Sequence, residues 1–323
     1  MLAVFISKAQ DIHFSQFYVM PLNENPAKCG VMNGNYRFNV IYRSQWGSVT
    51  APYVTDMMSG ELSMTGGKRN RNDIVGLGFV SGSDKAGDSQ LSNNIFSLTT
   101  SYTHSSGHLQ KQLFSFGMQL GVVSANLNYS NLHFDQQYNG GALTENLHLN
   151  DSKYFDASIG MEYTKNFVRF NSINFGAAIF HVNNPVYSFM NNSSSKIYRK
   201  YAFNAGADIR LNKFYQLYPR AWFAMQGTNR ELVAGMFARL SLNFGIGNKK
   251  DEGFYVGTFY RVGDAAITSF RIDIDHYSMT FSYDFNINKL SKVSNGQGGP
   301  EISMTWIGAI AGFKKKTFFC PRF

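Results

Sequence analysis

Apolar and polar residues alternate with a period of two over most of this chain. Between Gln112 and Val123, Phe114, Phe116, Met118, Leu120 and Val122 are apolar, whereas Ser115, Gly117, Gln119 and Gly121 are small or polar. Such alternation makes a strand with one apolar face. Tyr36, Phe38, Val40 and Tyr42 alternate with Arg37, Asn39, Ile41 and Arg43 in the same way, and so do Phe155 to Tyr163, Leu232 to Phe244 and Tyr277 to Phe285. The pattern predicts strands at 34–46, 53–65, 73–83, 94–104, 112–130, 154–165, 171–181, 199–211, 215–227, 231–246, 253–263, 266–273, 276–287 and 300–309. No helical period of comparable length competes with them.

Most of these fourteen segments reach the ~10 residues that cross a bilayer as tilted strands. Their connections also fit a membrane barrel, which alternates short inner turns with longer outer loops. With the chain starting inside, the even-numbered connections 66–72, 105–111, 166–170, 212–214, 247–252 and 274–275 are all short. The four long connections, 84–93, 131–153, 182–198 and 288–299, are all odd-numbered. A soluble β-sandwich shares the alternation, but its strands run ~5–6 residues. The reading is therefore all-β: a single transmembrane antiparallel up-and-down β-barrel of about fourteen strands in the outer membrane. The stretch 112–130 is long enough to be two strands, which would shift the parity after it.

The barrel occupies 34–309. The apolar stub Met1 to Ile6, followed by Ser7-Lys8-Ala9, reads as a signal peptide (1–9) shortened at its beginning, with an ordinary N-terminal strand as the alternative. Residues 10–33 are then a periplasmic N-terminal segment and 310–323 a periplasmic C-terminal tail.

Composition supports this picture. Among 323 residues, 15% are aromatic and only 16% charged, with 30 Gly and 30 Asn. This is turn-rich β composition, too aromatic for a disordered chain. No apolar run approaches the ~18 residues of a membrane helix. If the apolar face meets lipid, the lumen carries Arg37, Arg43, Asp156, Glu162, Asp208, Arg210, Arg220, Arg239 and Asp284. Both signs occur, as in a mutually paired, hydrated interior.

The net charge of +9 is gathered partly in runs: Lys68, Arg69 and Arg71, then Lys249 and Lys250, then Lys314 to Lys316. All lie on the inner side of this topology. They are either solvated turns or contacts for inner-leaflet phosphates and acidic periplasmic partners. Nucleic acid is not expected, because no helix carries these patches into a groove.

Catalytic signals are thin. Gly76-x-Gly78 lacks the third glycine of a dinucleotide loop and sits inside a strand. His276 lies at a tight turn beside Asp275 and Asp273, and His181 ends a strand near Asn183. Two cysteines exclude a four-Cys zinc site. No catalytic residue, metal or cofactor is expected. Cys29 and Cys320 lie near opposite ends of the chain. In a closed barrel first and last strands are neighbours, so either a bridge or two separate thiols fits.

Gln10 to Phe17 with Asn25-Pro26-Ala27, then Arg43 to Trp46, then Tyr283-Asp284 with Glu301-Ile302 and the end Cys320 to Phe323 together resemble the PorP/SprF family of outer-membrane proteins of the type IX secretion system of Bacteroidota. The opening carries Gln10, Phe14, Ser15 and Gln16, then Asn25-Pro26-Ala27. Arg43, Gln45 and Trp46 resemble the end of the family's first strand. Tyr283 and Asp284, then Glu301 and Ile302, then Cys320-Pro321-Arg322-Phe323 resemble its C-terminal signature. Cys29 stands where the family carries a small or aromatic residue, which argues against a family-wide Cys29–Cys320 bridge.

The resemblance implies a non-catalytic component supporting export or surface attachment of cargo with C-terminal sorting domains, gliding adhesins among them. Its implied partners are outer-membrane lipid, that cargo, and periplasmic ring or peptidoglycan-linked parts of the machine. Loops 131–153 and 182–198 are the candidate cargo contacts. A passive porin or small-solute channel is the alternative, and an outer-membrane hydrolase using His181 or His276 a more distant one.

Overall fold

The computed structural model describes residues 11–45, 47, 52–65, 73–87, 90–106, 112–127, 151–167, 171–189, 194–242, 252–288, 291–294 and 296–310. Fourteen strands form one closed antiparallel barrel in which each strand pairs with its neighbours in sequence. They are β1 (Tyr36–Gln45), β2 (Tyr53–Thr65), β3 (Ile74–Ala86), β4 (Leu91–Ser106), β5 (Gln112–Asn126), β6 (Ser152–Asn166) and β7 (Ser172–Phe180). The circuit continues through β8 (Lys200–Arg210), β9 (Tyr215–Gln226), β10 (Asn229–Ser241), β11 (Gly253–Arg261), β12 (Ala265–Ile274), β13 (Tyr277–Asn286) and β14 (Gln297–Gly308). Each expected strand is present, and the described part of the stretch expected at 112–130 forms one strand, β5 (Gln112–Asn126). β14 closes the barrel on β1 with Arg43 opposite Glu301 and Tyr36 opposite Gly308.

Side chains alternate across the wall because successive Cβ atoms of a strand point to opposite faces. Phe116, Met118, Leu120 and Val122 of β5 point outward, as do Phe38, Val40 and Tyr42 of β1. Phe116 is 60% exposed, and large apolar side chains recur on the outer face of every strand. Such an outward apolar face is what a membrane barrel presents to the bilayer. At the rim where β1 begins, Tyr36 packs edge-on against Trp306 at 5.1 Å and Tyr277 stacks on the same ring at 5.9 Å. Aromatic girdles of this kind mark the membrane boundary. An arginine at position 116 should destabilise the barrel by roughly 2–4 kcal/mol, the cost of a cation near the bilayer midplane. Equilibrium unfolding from lipid bilayers measures this, and Ser115→Arg on the inner face of β5 separates lipid exposure from clash.

The interior is not the hydrated space the charge list suggested. Residues 11–33, expected beyond the rim as a periplasmic segment, lie inside the barrel. Phe14, Phe17, Tyr18, Val19, Met20, Leu22, Ala27, Cys29 and Met32 are all buried there. The physical reason is composition: large apolar side chains cost roughly 1.5–3 kcal/mol each when left in water. The segment runs from Asp11, near the start of β8, to Asn35, whose backbone N–H donates to Gly308 O at the opposite rim. It then enters β1. Pro21 and Pro26 open single helical turns, Pro21–Glu24 and Pro26–Lys28, at the position where a fixed φ suits a helix start. The Asn25 side chain caps the second by accepting from Ala27 N at 3.0 Å.

Candidate functional site: a lumen filled by the N-terminal segment

The first anchor is ionic. Ser15 N and Gln16 N donate to the two carboxylate oxygens of Glu301, at 2.7 and 2.9 Å. Arg43 lies across the barrel seam and pairs with Glu301 at 3.0 Å and Asp284 at 3.3 Å. Its guanidinium also donates to the His13 carbonyl. Arg261 of β11 reaches Asp284 at 3.2 Å and donates to Ser15 Oγ, which itself donates to Asp284 at 2.6 Å. Gln16 completes the site, donating to Ser282 Oγ at 2.9 Å and accepting from Ser303 Oγ at 2.5 Å. Arg43 and Glu301 are among the largest fully buried side chains. Buried charges persist only when paired and hydrogen-bonded, and here the pairs are completed by two N–H groups of the inserted segment.

The second anchor is aromatic. Phe17 stacks on Trp222 at 6.3 Å, and Tyr18 meets Phe237 edge-on at 5.1 Å and stacks on Phe259 at 5.4 Å. Tyr218, Val233, Tyr255 and Ile267 extend this cluster on the inner face of β9 to β12. No motif in the sequence marks these anchors. The available signal is that β9 to β11 carry large apolar residues on both faces, which a water-filled lumen does not need.

The third anchor is a carboxylate held by amides. Glu162 of β6 accepts from Asn25 Nδ2 (3.2 Å), Asn174 Nδ2 (2.7 Å) and Asn204 Nδ2 (2.9 Å). Gly176 of β7 lies between Glu162 and Asn204 in register. A side chain at Gly176 would occupy the space where Glu162, Asn204 and Asn25 meet. Nearer the β1 start, Arg37 pairs with Glu61 at 2.8 Å, and Glu61 accepts from Gly30 N at 3.1 Å. Cys29 is a free buried thiol whose carbonyl accepts from Ser101 Oγ at 2.6 Å. Its side chain lies against the inner wall at Gly78, and burial pushes the thiol well above its ordinary range. Cys320 lies outside the described residues.

The fourth anchor is at the far rim. Asp11 lies 2.8 Å from His181 Nε2 and 2.7 Å from Lys200 Nζ, while His181 Nδ1 lies 2.8 Å from Asp156. Two carboxylates on two ring nitrogens require both to donate, so His181 is an imidazolium. Burial works against that charge, but Asp11 and Asp156 outweigh it and raise the His181 pKa to about 9. Burial likewise works against ionised Asp11, yet Lys200 and His181 hold it well below the usual carboxylate range. His181 has φ 55°, a left-handed conformation that side chains adopt only when neighbours fix it.

Because the folded pKa of His181 is raised, its contribution is fully present below the unfolded value, ~6.5, and is lost as pH rises through about 9. The melting temperature in detergent should fall between pH 7 and pH 10 for this reason, and His181→Gln should remove most of that slope.

Of the residues the sequence singled out, the structure brings Phe14, Ser15, Gln16, Asn25, Pro26, Ala27, Arg43, Asp284 and Glu301 into the barrel interior. Ile302 points outward, Tyr283 packs against Phe285 at 4.9 Å and Gln45 ends β1. Arg220 pairs with Asp208 at 2.5 Å. His276 is half exposed, 3.8 Å from an equally exposed Asp275, and His181 is occupied on both nitrogens. Residues 1–9, Gln10, Trp46, Lys68, Arg69, Arg71, Lys249, Lys250, Lys314 to Lys316, Cys320, Pro321, Arg322 and Phe323 lie outside the described residues.

A closed barrel with an apolar outer belt and an internal polar network is a membrane protein of the outer-membrane β-barrel class. Solved barrels agree in fold. The Ralstonia pickettii toluene transporter TbuX superposes with a TM-score of 0.52 at 12% identity, covering 90% of this chain and 94% of that one. The CymD monoaromatic hydrocarbon channel gives 0.51 at 11%, covering 90% and 93%, and the Pseudomonas putida toluene transporter TodX gives 0.50 at 11%, covering 88% and 92%. At these identities the likeness is one of fold alone. No curated protein matches the sequence significantly. The family described as "Type IX secretion system membrane protein PorP/SprF" matches residues 6–306. The chain belongs to the PorP/SprF family and is a membrane component of the type IX secretion system.

Proposed function

We propose that this protein is a plugged, non-catalytic outer-membrane anchor that supports export or surface attachment of cargo carrying C-terminal sorting domains, gliding adhesins among them. The observation that carries this reading is the lumen: residues 11–33 fill it and are fixed by buried ion pairs at Arg43, Asp284 and Glu301. A passive porin needs an open lumen, so the filled interior favours the anchor. What remains for binding is the rims and their connections, which are where a rigid scaffold presents partner contacts. In this proposal the even-numbered connections, with Lys68, Arg69, Arg71, Lys249 and Lys250, face the periplasm and meet ring or peptidoglycan-linked components. Connections 131–153 and 182–198 face outward and meet cargo.

The test is a pull-down from the native host with a tag in connection 131–153, using mild detergent and mass spectrometry. Recovery of a large surface protein with a C-terminal sorting domain, or of periplasmic ring components, supports the proposal. Reproducible recovery of the barrel alone after gentle crosslinking contradicts it. Exchanging 131–153 and 182–198 between paralogues should move cargo preference with the loops.

A further inference from the structure

The inserted segment does not fill the barrel completely. Between Asp11, Ile12 and Asn23 of the segment and the inner wall of β3 to β6 lies a cavity of about 130 Å³. Tyr187 and Ile197, in the β7–β8 connection, also line it. It sits at the rim where Asp11 meets His181, and its walls combine Val80, Ile95 and Val123 with the rings of Tyr154 and Tyr187.

Its charges do not balance. Three carboxylates line it, Asp11, Asp84 and Asp156, against the cations His181 and Lys200. Asp11 takes both cations and Asp156 shares His181. Asp84 accepts one hydrogen bond, from Thr55 Oγ1 at 2.6 Å, and forms no ion pair among the described residues; the Arg43 charge reaches it only at longer range and that of Asp56 opposes it. A partly buried carboxylate served by one hydroxyl is under-compensated. Its neighbours suit a cation. Tyr154 and Tyr187 meet edge-on with centroids 6.1 Å apart, and Tyr187 Oη donates to Asn93 Oδ1 at 3.3 Å. Tyrosine faces attract ammonium groups, and the aliphatic wall accommodates a methylene stem.

We infer that this cavity binds a linear alkylammonium group, the chemistry of a lysine side chain or a free diamine, with the ammonium on Asp84 and the stem along Ile95 and Val123. Tyr187 and Ile197 belong to the 182–198 connection proposed for cargo, but the other walls come from the barrel and the inserted segment, so the site does not rest on that proposal.

The experiment uses the full-length protein in detergent. Binding of cadaverine and of Nα-acetyl-lysine-methylamide is measured by calorimetry, with Nα-acetyl-norleucine-methylamide as the uncharged counterpart. Saturable binding of either ammonium ligand, at least ~10-fold tighter than the norleucine compound and weakened ~10-fold or more by Asp84→Asn, supports the site. Preference for the lysine compound points to a peptide source, and preference for cadaverine to a free amine. Asp275→Asn, at an exposed turn, should leave the affinity unchanged. No saturable binding, or equal affinity in Asp84→Asn, overturns the inference. Tyr187→Leu gives an independent reading, since it removes a ring without touching charge and should also weaken binding.

Discussion

Glu301→Ala should destabilise the barrel by roughly 3–5 kcal/mol, the cost of stranding a buried charge. Glu301 is fully buried, and three groups converge on it: the Arg43 guanidinium and the N–H groups of Ser15 and Gln16. Removing its carboxylate leaves a buried cation whose remaining ion pair is with Asp284, which Arg261 already shares. It also leaves two buried backbone donors unpaired, each costing roughly 1–3 kcal/mol. Because Arg43 and Glu301 face each other across the β1–β14 seam, the loss falls on barrel closure as well as on the inserted segment. Equilibrium unfolding in urea from lipid bilayers reads the effect. The double replacement Arg43→Met with Glu301→Leu should be less harmful than Glu301→Ala, since swapping a buried pair for apolar side chains is often neutral. A double variant worse than the single one would mean that the pair itself, and not its broken half, carries the stability.

Gly117→Val should expel the middle of the inserted segment. Gly117 of β5 faces inward, and a Cβ there would overlap the carbonyl of Pro26 and the nitrogen of Ala27. Neither gives way cheaply: Pro26 has a fixed φ, and Ala27 N is bound to the Asn25 side chain. Overpacking of this kind costs ~1–3 kcal/mol where the neighbours adjust, and more where they are backbone. Gly76 has the same relation to the Cys29 carbonyl, and Gly160 to Asn25 Oδ1. Hydrogen exchange over residues 20–30 should be slow in the native protein and fast in Gly117→Val. Leu120→Val, facing outward on the same strand, should change it little.

The barrel itself was legible because its wall has one physical requirement, apolar outward and small or polar inward, repeated on every strand. Phe114 to Val122 and Tyr277 to Phe285 carry that pattern plainly. Strand ends shifted by a few residues, as at β4, which begins at Leu91, because Ser92 and Asn93 read as loop residues yet continue the ladder with β5. The filled lumen was not legible. Residues 11–33 have no period, since they follow the cavity rather than a regular element, and their partners lie up to 287 positions away. Ser15 and Gln16 stood out only through the family resemblance, and nothing near them in sequence points to Glu301. His181 drew attention as a weak catalytic candidate; its position between two carboxylates makes it part of a clasp on Asp11 instead. The inward aromatics Trp222, Phe237, Tyr255 and Phe259 blur the alternation of β9 to β11, and that blur marks where the segment docks.

Residues 11–33 lie inside the barrel and should close its lumen to ions. Conductance of the purified full-length protein in planar bilayers tests it most directly, with a chain lacking residues 11–33 as the comparison. The full chain should show no steady ohmic conductance near neutral pH, and the shortened one open, ion-conducting steps. Steady conductance from the full chain, unchanged when the segment is removed, would contradict it.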